Sequence, residues 1–127
     1  MKFSQDVLSN VNRVYRYQDQ SVTILPKDDS ELITLTSNFI LTPHSLVSEW
    51  PLSMVSDFTS DDVTYFQVLG IEVLLISHMS PAPVSPAIMA TFAKHAIGVE
   101  QMTLGAACRT YNLLVSEDRE VALAVNF

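Results

Sequence analysis

The chain has 127 residues, 48% hydrophobic and 17% charged, with fourteen acidic side chains against seven Lys and Arg and a formal net charge of −7. That length allows one domain with a real core, 1–127, and the composition is globular rather than disordered. The few basic residues are scattered and never adjacent, so a phosphate-tracking surface is excluded, and with it nucleic acid or anionic membrane as a partner.

Cys108 is the one cysteine, so no internal disulfide can form. The opening segment MKFSQDVLSNVNR has no apolar h-region. No apolar run approaches the roughly 20 residues of a membrane helix. No membrane insertion and a cytoplasmic location are therefore expected.

Residues 1–10 form a loose lead-in. Asn12 to Tyr17 (NRVYRY) and Ser21 to Leu25 (SVTIL) flank a polar Gln18-Asp19-Gln20 connection and predict a hairpin. Pro26 to Ser30 is a turn cluster. Glu31 to Thr36 and Phe39 to Leu41 are two more strand-like runs, predicting a second hairpin, which Thr42-Pro43 ends. Pro43 to Ser60 reads as an irregular connection anchored by Leu46, Val47, Trp50 and Met54.

A change of period follows. A helix from Asp61 to Leu69 would stop at Gly70, and Glu72 to Ile76 (EVLLI) has the continuous apolarity of a strand buried on both faces. After the proline-rich loop Ser80 to Pro86, a helix runs to Ala96 and Gly98 closes it. Val99 to Met102 is a strand, Leu104 to Val115 a helix and Arg119 to Val125 a final strand. The alternation predicts an α/β domain whose central sheet has parallel neighbours.

On a helical wheel, Leu104, Ala107, Cys108, Tyr111, Leu114 and Val115 share one arc, the expected buried face. Cys108 thus reads as a core residue rather than a nucleophile. Gly105, Arg109 and Asn112 lie on a strip beside that arc, and Arg109 and Asn112 are expected to meet over the space Gly105 leaves. Thr103 takes the N-cap position. His78 follows the buried strand at the edge where such sheets bind ligands. Thr103, Gly105, Arg109, Asn112 and His78 are therefore the candidate ligand-binding residues, suited to a small anionic molecule. The histidines share no metal-ligand spacing, and there is no glycine-rich phosphate loop and no nucleophile elbow, so no metal, cofactor or catalytic residue is assigned.

The segment Gly98-Val99-Glu100 through Met102, followed by Ala106-Ala107-Cys108-Arg109-Thr110-Tyr111-Asn112-Leu113-Leu114, resembles the signature of the Mth938-like domain-of-unknown-function family. Phe39 to Pro43, Trp50-Pro51 and Glu72 to Ile76 are similar to the corresponding family segments. The resemblance implies a three-layer α/β domain with a mixed central sheet and an added N-terminal β-hairpin layer. It implies no established enzymatic activity. Among the relatives is a mitochondrial complex I assembly factor. Two functions are therefore expected to compete: a non-enzymatic protein-binding or assembly-factor-like domain, and a binder of a small anionic metabolite, or an enzyme, using a cleft near Thr103, His78 and Arg109. Homo-oligomerisation is left open.

Overall fold

The computed structural model describes residues 10–28, 30–49, 58–78 and 84–127, with the side chain of His78 outside that description. Trp50 and Met54, expected as core anchors, lie outside the described residues. The strands are β1 (Arg13–Gln18), β2 (Ser21–Leu25), β3 (Ile33–Leu35), β4 (Phe39–Leu41), β5 (Leu46–Ser48), β6 (Val73–His78), β7 (Gly98–Gln101) and β8 (Val121–Asn126). The helices are α1 (Ser60–Val68), α2 (Pro86–Lys94) and α3 (Leu104–Ser116). The α/β class expected from the sequence is found. A mixed five-stranded sheet of order β5-β4-β8-β6-β7 stands beside a separate antiparallel sheet of order β1-β2-β3.

In the second half, β6 runs parallel to both β7 and β8, as the alternation of periods predicts. β8 is the strand at the centre, and all six of its residues are buried. Ala122 and Ala124 join the cluster of Val63 and Phe66 from α1, Phe92 from α2, and Leu74 and Ile76 from β6. Their small side chains face a group of aromatic rings, with Phe58, Phe66 and Phe92 at mutual centroid distances of 6.1 to 6.4 Å. On the opposite face Val121, Leu123 and Val125 pack with Leu75, with Ala107, Cys108, Tyr111 and Val115 of α3, and with Val14, Val22 and Ile24 of the small sheet. The layers are thus α1 with α2, the central sheet, and α3 with the N-terminal sheet.

Helix ends follow local chemistry. The Asp62 carboxylate accepts from the Thr59 amide at 2.7 Å, which starts α1. The Ser85 hydroxyl accepts from the Ile88 amide, and Pro86 opens α2 where no amide partner is needed. Each helix ends in a residue in the left-handed region: Gly70, Ala96 and Asp118. At α2 the Ile97 amide reaches Phe92 O and the Ala96 amide reaches Ala93 O, a Schellman closure around an alanine. Gly98, expected to close this helix, is instead the first residue of β7.

The first third departs from two successive hairpins. β1 and β2 pair through the two-residue connection Asp19-Gln20, but β3 pairs back onto β2 and not onto β4. β4 crosses into the central sheet between β8 and β5. Phe39, Ile40 and Leu41 are buried, a both-faces burial that the edge of a hairpin cannot provide. Leu46 to Ser48, read as irregular, pairs with β4 as an edge strand.

Candidate functional site

The site is built where β1 lies against α3. Asn12, at the entry to β1, is buried and carries a dense set of bonds. Its carboxamide donates to the Thr42 and Ser45 carbonyls and accepts from the Lys27 amide at 2.9 Å. Its backbone amide donates to Pro43 O, and its carbonyl accepts from the Tyr111 hydroxyl at 2.9 Å. One side chain and one peptide thereby tie β1, the β4–β5 connection and α3 together.

Two residues on, Val14 pairs with Ile24 of β2, and both are in the core. The Val14 amide donates to Asn112 Oδ1 at 3.0 Å, and Asn112 Nδ2 donates to the Val14 carbonyl at 2.9 Å. The side-chain amide takes the place of a neighbouring strand on the open edge of β1. Asn112, expected on a ligand strip with Arg109, has its donor and acceptor directed to the backbone.

The register of β1 on β2 shifts between Val14 and Arg16, so Tyr15 is an extra residue in the strand. Without the shift, Val14 and Tyr17 would fall on opposite faces. With it, Tyr17 pairs with Val22, on the side of the sheet that faces α3. The Tyr17 phenol then lies over Gly105: a Cβ at that glycine would stand 3.0 Å from the Tyr17 hydroxyl and from Arg109 Nη1. Arg109 Nη1 donates to the Tyr17 hydroxyl, and the guanidinium carbon sits 6.0 Å from the ring centroid. The space that Gly105 leaves is therefore filled by Tyr17.

Thr103 is the N-cap of α3, but its hydroxyl makes no capping bond; its carbonyl accepts from the Ala107 amide at 2.9 Å. The backbone of His78 ends β6 in register with Asn126 of β8. β6 does neighbour β7, and the Met102 amide donates to Ile76 O at 2.9 Å, so the carboxyl end of β6 borders the approach to α3. The structure thus brings Gly105 and Arg109 together around Tyr17, joins Asn112 to Val14, and leaves Thr103 exposed at the helix start. No motif in the sequence marks Tyr17 or Asn12 as part of this junction. Nothing in the local pattern of β1 marks the inserted residue that turns Tyr17 inward.

Cys108 is buried in the α3 core, and burial pushes its thiol up to about 12 against a weaker opposing pull from Arg109. The buried Tyr111 hydroxyl is also pushed upward by desolvation. Beyond the Tyr17 end of β1, Gln18, Asp19, Gln20, Ser21 and Thr36 line an open depression.

Replacing Asn112 by Ala leaves the Val14 amide and carbonyl without their partner. Urea unfolding should show a loss of about 1–3 kcal/mol. An unchanged midpoint would mean that the edge pairing contributes nothing.

The Cys108 shift sets an alkaline dependence. The unfolded thiol ionises near 9 and the folded one only near 12, so the unfolded state binds fewer protons between them. Stability should therefore fall as pH rises through that window. Denaturant titrations should show a shallower alkaline decline for Cys108→Ala than for the wild type, and parallel declines would contradict the shift.

The family described as a protein of unknown function (DUF498/DUF598) matches residues 14–126. A Xanthomonas campestris protein solved by NMR is similar at 28% identity, with a TM-score of 0.75, over 98% of this chain and 91% of that one. A Bordetella parapertussis crystal structure matches at 26% identity and a TM-score of 0.73, over 91% and 94% of the two chains. A Bordetella pertussis protein described as a Mth938-like domain shares the fold at 23% identity and a TM-score of 0.70, over 98% and 91%. No curated protein matches the chain. With the match running from β1 through the last residue of β8, the chain belongs to the DUF498/DUF598 family, whose fold is that of the Mth938-like domains.

Proposed function

We propose that this chain is a non-enzymatic protein-binding domain, assembly-factor-like, that docks a partner where β1 meets α3 around Arg109. The observation that carries the reading is the exposure of large side chains at that junction. Tyr15 is 57% exposed and Leu113 is 58% exposed, and Tyr17 and Arg109 are also exposed. Tyrosine and arginine are among the side chains enriched at the energetic centres of protein interfaces. The polar groups nearby also favour docking over ligand capture. The Asn112 amide is committed to Val14 and the Gly105 space to Tyr17. The family resemblance to a mitochondrial assembly factor points the same way.

A pull-down from native lysate should recover a stoichiometric protein partner with the wild-type chain and lose it with Arg109→Glu. Recovery of the same partner by Arg109→Glu would place the docking surface elsewhere.

A second reading has one observation in its favour. The exposed Thr103 hydroxyl at the start of α3 makes no capping bond, so the amino end of that helix has donors to offer an anion. A small anionic metabolite would then sit between Thr103, Arg109 and the end of β6 at His78. A thermal-shift screen of anionic metabolites should show stabilisation that grows with concentration. The same response from Arg109→Ala would rule out this cleft.

A further inference from the structure

We propose that the β1–α3 surface takes a short acidic peptide segment with a large apolar anchor, supplied by a partner protein. The proposal rests on the docking reading above and names the chemistry of the occupant. Its basis is where an acidic chain keeps its arginines. Of the six basic residues described, Arg119 pairs with Glu72, and the Lys27 ammonium donates to the His44 carbonyl. Lys94 lies in the last turn of α2. The other three, Arg13, Arg16 and Arg109, stand on β1 and α3.

The inserted Tyr15 brings two of them together. Arg13 pairs across from Leu25 and Arg16 across from Thr23, so both lie on the outer face of the small sheet. In an uninterrupted strand, residues three apart would point to opposite faces. Arg16 sits over the Tyr15 ring at 5.7 Å, and Arg109 over the Tyr17 ring at 6.0 Å. Arg13 Nε is buried without a hydrogen-bond partner. Among the described residues none of the three has a carboxylate partner, although the chain carries fourteen carboxylates.

Arg109 gives one N–H to the Tyr17 hydroxyl and keeps its others, and Arg16 stands beside the Tyr15 ring, so each guanidinium retains donors that fit a carboxylate. The net charge of −7 works against a long polyanion, whose binding depends on the field of many cations. A short acidic segment feels chiefly the local arginines. Leu113 and Tyr15 offer apolar contact for its anchor.

The test is to pan a random-peptide phage library on the full chain, then measure the enriched peptides by fluorescence anisotropy against variants. The enriched peptides should carry net negative charge and a large apolar residue, and salt should weaken them. Arg16→Glu and Arg109→Glu should each lose about tenfold or more in affinity, the Gln variants less, and Lys94→Glu nothing. All of these sites are exposed, and unchanged circular dichroism melts will show that the variants fold. Neutral or basic peptides that Leu113→Glu abolishes would overturn the acidic assignment and leave the docking reading standing. No enrichment, or peptides indifferent to every β1 and α3 variant, would overturn both. Binding of a random single-stranded DNA pool, lost on Arg→Glu exchange, would replace the peptide by nucleic acid.

Discussion

The paired hydrogen bonds between the Asn112 carboxamide and the Val14 peptide join residues 98 positions apart. β1 is an edge strand, and at Val14 both backbone polar groups point away from β2. Leaving them unpaired beside a packed helix would lose the water they bond in the unfolded chain. A side-chain amide presents one donor and one acceptor side by side, as a neighbouring strand does. An aspartate lacks the donor, and an apolar side chain lacks both. This clasp fixes where β1 stands on α3, and with the residue inserted at Tyr15 it sets where the later side chains of β1 fall.

The second tie starts from the adjacent residue of α3. The Tyr111 phenol donates to the Asn12 carbonyl, and the Asn12 carboxamide reaches the β4–β5 connection. Apolar contact through Val14, Val22 and Ile24 holds the small sheet to α3 and sets which face of the sheet turns inward. The polar ties add fixed points along the helix. With the inserted Tyr15, which places Arg16 and Arg13 on one face, they seat Tyr17 on Gly105 and position the exposed junction proposed as a docking surface.

How much of this was legible follows from the range of the forces involved. The second half was readable because a both-faces-buried strand and amphipathic helices leave their periods in consecutive residues, as in Val73 to Ile76 and Ala107 to Val115. The buried arc of α3 matches the wheel, with Ala107, Cys108, Tyr111 and Val115 inside. The sequence alone predicts β4 as a hairpin partner of β3, because the three residues Phe39 to Leu41 carry no signal of the sheet they join. Gly98 attracted the helix stop because glycine usually supplies a left-handed residue, yet Ala96 supplies it here, held by two closing bonds. At the site, Gly105 and Arg109 were visible as a helical pair. Tyr17 was not, because the inserted Tyr15 reverses the inward and outward alternation of β1. The role of Asn112 depends on a strand far away in sequence.

The β1–α3 junction therefore depends on the edge of β1 being closed by a side chain. The most direct measurement is the hydrogen-exchange rate of the Val14 amide in the native chain, read by NMR beside the amides of β8. With Asn112 Oδ1 accepting that proton, it should be protected to the level of the central strand. Exchange as fast as that of the Gln20 amide in the exposed hairpin turn would contradict the clasp, and with it the surface that the clasp positions.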